Sequence, residues 1–264
     1  MNQLNLSEIR ESYKNKGYYA PIPFLNEAEV TYYRGKLREI ELYNKSEIKR
    51  LDALHLFFPW AYDLVTHPKL LDFMASILGP ELLIHTSRIF RKPPNDPSFV
   101  SWHQDGRYTQ LNALEAPTIW IALSDSKKEN GCLRVVPYSF RQGVIAQIET
   151  YDPQNLLNHG QVAQVDIREE EVVNIELNAG EFSIHNVNLL HSSLPNDSPK
   201  ERCGFSLTIT TPALINAIGA VIQARGNAPL PGIEVWGRPE EQPVEKAMNA
   251  LRDYHTSRNF PFRL

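Results

Sequence analysis

The chain has 264 residues, a formal net charge of −4 and a sequence pI near 6.1, so it lacks the basic surplus that a phosphate backbone requires and argues against nucleic acid as a partner. Hydrophobic residues at 42% and charged residues at 22% are the balance of a folded globular chain, which excludes disorder and makes small molecules the default partners. Only two cysteines are present, Cys132 and Cys203, far apart and without a CxxC pair, so neither a zinc ribbon nor a disulfide framework is expected and a reducing cytoplasm fits best.

The N-terminal MNQLNLSEIRESYKNKG has no apolar run behind a basic flank, no stretch of about eighteen apolar residues occurs, and the ending NFPFRL is not a peroxisomal address. Neither export nor membrane insertion is expected. Residues 7 to 16 read as a short helix closed by Gly17, followed by an extended PIPFL segment. Asn26 with Glu29 forms a capping box, which starts a longer helix running through about Leu42. In HPKLLDFMASILGP, apolar Leu70, Leu71, Phe73, Met74, Ile77 and Leu78 share one broad face, with Gly79 and Pro80 as the stop. From Leu82 the period changes to two, in the runs LLIHTSRIF, FVSWHQD, PTIWIALSD, GCLRVVP, EVVNIELN, GEFSIHN and FSLTITTP. Asn130-Gly131 is a hairpin signal and Asn178-Ala-Gly180 marks a reversal. The tail contains ALINAIGAVIQARG, a PLPGIEVWGRPEEQP loop and a helix near 243 to 254. One domain over 1–264 is expected: a helical part over 1–80, a β barrel or sandwich over 81–212, and a C-terminal extension over 213–264 able to serve as a lid.

In SWHQDG, His103 and Asp105 are one residue apart, so on an extended strand both point to the same face. Two histidines and one carboxylate on one side of an octahedron leave three positions free for co-substrate and oxygen, and His191 in NLLHSSLPN is the best third ligand. Alone, HxD is a common tripeptide whose histidine is more often structural. Arg202, at the start of a strand after His191, adds a guanidinium able to bind a dicarboxylate's far end through paired hydrogen bonds.

The ordered segments GYYAPIPFL, HPKLLDFMASILGP, RKPP, WHQDGRY, TIWIALSD, NGCLRVVPYSF and AGEFSIHNVNLLHSSLPNDSPKER closely resemble the phytanoyl-CoA dioxygenase family, from the N-terminal helix to about Pro212. The resemblance implies a double-stranded β-helix, jelly-roll or cupin-like, mainly β with helical flanks. It also implies an Fe(II)- and 2-oxoglutarate-dependent dioxygenase that uses molecular oxygen and releases succinate. It matches His103, Asp105 and His191 to the iron ligands, Arg202 to the residue that binds the 2-oxoglutarate C5 carboxylate, and Ser193 to a serine that adds a hydrogen bond there. Thr118 and Trp120 share a strand face and either line the co-substrate pocket or fill the barrel. Related halogenases lack the carboxylate ligand, so Asp105 points to hydroxylation or a related oxidation of a small molecule. With no peroxisomal address and no basic cluster for a CoA phosphate, the expected substrate is a polar natural-product intermediate.

Other residues have ordinary readings. His85 and His185 lie on core strands and are expected to be structural or to support the ligands rather than to be ligands themselves; His55, His67, His159 and His255 look peripheral. Arg88, Phe90, Arg107, Tyr108 and Tyr138 flank the barrel mouth, the REEE run from Arg168 to Glu171 is a solvated turn, and Trp236 is either a lid or a packing anchor. Two other classes use the same residues: a zinc hydrolase on the same ligands, which leaves Arg202 and Ser193 without a purpose, and a non-catalytic ligand-binding barrel.

Overall fold

The computed structural model describes residues 5–106, 116–214 and 220–258. In chain order its longer elements are α1 (Leu6–Lys16), β1 (Tyr18–Pro23), α2 (Glu27–Asn44), β2 (Arg50–Asp52), α3 (Pro59–Val65), α4 (Pro68–Leu78), β3 (Leu82–Lys92), β4 (Val100–His103), β5 (Pro117–Ala122), β6 (Leu133–Val135), β7 (Gln147–Glu149), β8 (Gln161–Ala163), β9 (Val173–Ile175), β10 (Glu181–Asn186), β11 (His191–Ser193), β12 (Arg202–Thr210), β13 (Ala220–Arg225), β14 (Glu234–Val235) and α5 (Val244–Ser257). No helix among the described residues is long and apolar enough to cross a membrane.

The helix boundaries follow local chemistry. Gly17 ends α1 in the left-handed region, at φ 87°, where a side chain is disfavoured, and its N–H donates to the Tyr13 carbonyl. The Asn26 side chain accepts from the Glu29 N–H while Glu29 accepts from the Asn26 N–H, so the capping box forms, and α2 runs two residues beyond its expected end. The α4 helix buries Leu70, Leu71, Phe73 and Met74, with Phe73 edge-on to Phe182 of β10 at 5.2 Å.

The strands form an eight-stranded sheet, ordered β1-β10-β5-β12-β3-β13-β14 with β2 also on β3, and a four-stranded sheet, ordered β4-β11-β6-β9; β7 and β8 pair separately. One face of the large sheet carries Ile119, Ile121, Ile184, Phe205, Leu207 and Ile89, and packs on the helices. Its other face carries Trp120 and Ala122 against Leu133, Val135 and Ile175 of the small sheet. This is the double-stranded β-helix, although among the described residues the two sheets face each other without closing into a barrel. Because both faces of β5 are covered, its six residues are all buried.

Three expectations change. The helical first part supplies β1 and β2, and the C-terminal part supplies β13 and β14, so the sheets draw on more than 81–212. Asn130-Gly131 is a turn, with Gly131 at φ 76°, but it ends a short 3-10 helix and joins β5 of one sheet to β6 of the other instead of closing a hairpin. A period-two pattern names strands and cannot say which sheet each one joins.

His55 and His255 are buried, at 1% and 3% exposure, and not peripheral, because the turn after β2 folds inward under α5. His55 Nδ1 lies 2.7 Å from Ser87 Oγ, and burial, with His85 nearby, pushes its pKa down to about 3. The folded value lies below the unfolded one. The contribution is therefore complete above pH 6.5 and shrinks as the pH falls from 6.5 towards 3, by about 2 kcal/mol at pH 5. Urea unfolding at pH 7.5 and pH 5 is expected to show His55→Gln losing about 2 kcal/mol less than wild type across that interval; equal losses would remove His55 from the acid response.

Candidate active site

His103 and His191 are direct cross-strand partners on β4 and β11, with ring centroids 4.0 Å apart. His103 Nδ1 lies 2.9 Å from the Ser101 carbonyl and His191 Nδ1 lies 2.9 Å from the Leu189 carbonyl. A carbonyl can only accept, so both Nδ1 atoms carry the proton and both Nε2 lone pairs are available for a metal.

Asp105 is not on the strand. After His103 the chain leaves β4 and turns, and the turn is held by Gln104, fully buried, whose amide donates to the Asn188 and Gly143 carbonyls and accepts from the Ile145 N–H. The Gly106 N–H donates to Val187, and a Cβ at Gly106 would stand 2.0 Å from Asn188 Oδ1. The turn brings Asp105 back over the pair: Oδ1 is 3.5 Å from His103 Nε2 and Oδ2 is 3.8 Å from His191 Nε2. One donor atom from each of the three lies within 4.8 Å of the others. Ligands on adjacent positions of one ion stand roughly 3 Å apart at bond lengths of about 2.1 Å, so only a small contraction is needed. The Thr118 hydroxyl donates to Asp105 Oδ2 at 2.8 Å. Burial opposes the charge on Asp105, but His191, His103 and His185 outweigh it and hold the carboxyl well below its usual range. Burial, reinforced by His103, keeps His191 neutral against the pull of Asp105.

Strand register places the rest. His185, Thr118, Thr208 and Thr86 form one row across the site-facing side of the large sheet; Ser183, Trp120, Ser206, Arg88 and Asp52 form the next; Ala122, Gly204, Phe90 and Arg50 the third; Arg202 and Lys92 the fourth. The Arg202 guanidinium is 2% exposed and stacks 4.0 Å from the Trp120 ring centroid. Trp120 can lie flat there because its neighbour is Gly204, where a Cβ would come within 2.0 Å of the indole. Arg202 Nε and Nη1 are buried without a hydrogen-bond partner. Burial lowers the Arg202 pKa to about 10, so it stays charged at neutral pH. Beside it, Lys92 Nζ donates to Ser193 Oγ at 2.7 Å and to the Leu194 carbonyl.

The structure thus brings together His103, Asp105, His191 and Thr118 at one end, and Arg202, Ser193 and Trp120 at the other. The donor set fits a divalent iron, and the orphaned guanidinium donors fit a carboxylate. His185 Nε2 is 3.8 Å from Asp105 Oδ2 and neither ring nitrogen has a hydrogen-bond partner; it borders the cluster without joining it. His85 stands at a bulge in the β3–β12 pairing. Arg88 Nε binds Asp52 at 3.1 Å and Phe90 packs 6.2 Å from Trp120, while Tyr138 is exposed; Arg107 and Tyr108 lie outside the described residues. Glu169–Glu171 is an exposed one-turn helix. Trp236 packs edge-on against Phe57 and Tyr254, the anchor alternative. Sequence reasoning missed Gln104 and Lys92; the alternation Arg88, Phe90, Lys92 was the signal for the second.

A sequence profile of phytanoyl-CoA dioxygenase (PhyH) matches residues 13–204. The probable alpha-ketoglutarate-dependent hypophosphite dioxygenase of Stutzerimonas stutzeri is 26% identical over 218 residues, covering 74% of this chain and 75% of that protein. The L-proline trans-4-hydroxylase of Streptomyces griseoviridis is 26% identical over 182 residues, 62% of this chain and 67% of that one. Among solved structures, the apo non-heme monooxygenase ThoJ superposes with a TM-score of 0.80 at 26% identity, over 95% of this chain and 96% of that chain. The non-heme alpha ketoglutarate dependent carbocyclase SnoK from nogalamycin biosynthesis gives 0.62 at 25% identity, over 76% and 82%. The profile spans most of the sequence: the chain belongs to the phytanoyl-CoA dioxygenase family and is a non-haem iron dioxygenase that uses 2-oxoglutarate and oxygen.

Proposed function

We propose that this enzyme hydroxylates a C–H bond of a polar small molecule, an intermediate of secondary metabolism, with iron held by His103, Asp105 and His191 and 2-oxoglutarate anchored by Arg202 and Ser193. The observation that carries the reading is the pairing of a two-histidine, one-carboxylate cluster with a buried guanidinium whose Nε and Nη1 have no protein partner. A hydrolytic zinc site has no use for that guanidinium. The carboxylate of Asp105 favours hydroxylation over halogenation, and the relatives named for L-proline hydroxylation and nogalamycin biosynthesis support a small, polar, biosynthetic substrate.

When bound, iron and 2-oxoglutarate supply the oxidising chemistry, coupling decarboxylation of the keto acid to succinate with oxidation of the substrate by oxygen. The protein supplies position. The two Nδ1–H bonds to backbone fix the imidazole planes, and Thr118 leaves Asp105 Oδ1 free by occupying Oδ2. Trp120 and Phe90 form an apolar wall beside Arg202 that would keep water from a bound keto acid, whose distal carboxylate Arg202 would hold. Arg88, next to Ser206 on the same face, is held by Asp52 at 3.1 Å.

The test is turnover of candidate amino acids and polar natural-product intermediates under labelled oxygen. One labelled oxygen atom in the product for each succinate formed is expected. Succinate formed with desaturated or cyclised product would overturn hydroxylation, and tight zinc with no response to 2-oxoglutarate would overturn the site reading.

A further inference from the structure

The protons that border the metal cluster are already given away. His103 donates Nδ1–H to the Ser101 carbonyl, His191 donates Nδ1–H to the Leu189 carbonyl, and the Thr118 hydroxyl donates to Asp105 Oδ2. His185 stands apart. It faces Thr118 across β10 and β5 on the site-facing side, is 2% exposed, and has its ring centroid 4.6 Å from that of His191. Neither of its ring nitrogens has a hydrogen-bond partner among the described residues. From His185 the row continues through the hydroxyls of Thr118, Thr208 and Thr86, with no apolar side chain between them.

A neutral imidazole has one N–H and one lone pair. His185 Nε2 lies 3.8 Å from Asp105 Oδ2, and a carboxylate only accepts, so the N–H belongs on this nitrogen. That leaves the Nδ1 lone pair buried and unmatched. Asp105 has no proton to give it, and a buried acceptor without a donor costs free energy until something supplies one.

We infer that His185 is a substrate-binding residue, whose Nδ1 accepts a hydrogen bond from an N–H or O–H group that the substrate carries beside the carbon to be oxidised. This rests on the hydroxylation of a polar small molecule given above, and narrows it. An amine, amide or alcohol is selected next to the metal, and a plain alkyl chain is disfavoured. The rivals are an imidazole that only supports Asp105 and one that holds a buried water. Neither lets His185 discriminate among substrates.

The test uses compounds that differ in that proton: L-amino acids and short diols, their fully N- or O-methylated forms, and straight-chain fatty acids, assayed for succinate and oxygenated product. With the wild type, kcat/KM for donor-bearing compounds is expected to exceed that for their methylated forms by about 10- to 100-fold. His185→Leu is expected to abolish this preference by slowing the donor-bearing compounds alone, with bound iron and KM for 2-oxoglutarate held. His185→Asn, whose Oδ1 stands close to the former Nδ1, is expected to restore about tenfold of it. Labelled-imidazole NMR of the zinc-substituted protein is expected to place the His185 proton on Nε2. A preference that survives His185→Leu, wild-type turnover of methylated forms or fatty acids as fast as of donors, no succinate above background with any donor, or a proton on Nδ1 overturns the proposal. Iron lost from His185→Leu assigns the ring to Asp105 instead. The expected preferences with desaturated or cyclised products would remove the hydroxylation reading and leave His185 in its role.

Discussion

Asp105→Ala is expected to lower kcat/KM by about 10²- to 10³-fold or more. Removing one partner from a buried charged cluster costs about 3–5 kcal/mol, at 1.4 kcal/mol per factor of ten. Asp105 is the only carboxylate in the cluster and faces three imidazoles, so its loss removes both a ligand and the counter-charge to a bound cation. Bound iron per chain, measured after gel filtration, is expected to fall with activity. A variant with full iron and more than about a tenth of the activity would refute the assignment, since a structural aspartate predicts lost stability and not lost metal.

Arg202→Met is expected to raise KM for 2-oxoglutarate by about 30- to 3000-fold, the range for truncating a buried charge-assisted contact worth about 2–5 kcal/mol. The kcat at saturating 2-oxoglutarate is expected to change far less, because the contact proposed for the guanidinium is with the distal carboxylate, at the other end of the site from the His103–Asp105–His191 cluster. Arg202→Lys is not a conservative rescue. A compact ammonium loses the planar fork and the stack on Trp120, and stands beside Lys92 with the same charge. A proportional fall in kcat, with KM unchanged, would place Arg202 elsewhere in the mechanism.

The helices were legible because their signals are local: a capping box at Asn26, a glycine at 17, one apolar stripe in α4. The strands were legible one by one from alternation, but their partners were not, since β1, β2 and β13 join the large sheet from either end of the chain. At the site, the spacing of His103 and Asp105 picked a pair that does come together, but not for the reason the spacing suggests. Their side chains meet because Gln104 locks a turn, and not because they lie one pleat apart on a strand. Thr118 and Trp120 were left between pocket and filling; Thr118 donates to Asp105, while Trp120 stacks under Arg202 and packs in the core. Lys92 was hidden because a lysine at the end of a strand reads as solvent-facing; only its register opposite Arg202 reveals it.

Each metal-cluster histidine takes its orientation from a carbonyl two residues back on its own stretch of chain. The two histidines therefore borrow nothing for their alignment from distant segments, whereas Asp105 depends on the Gln104 turn and on Thr118. Insertions and exchanges beyond these residues can accumulate while the reactive centre stays in place, which makes this a centre that can be inherited intact by enzymes whose substrates have little in common.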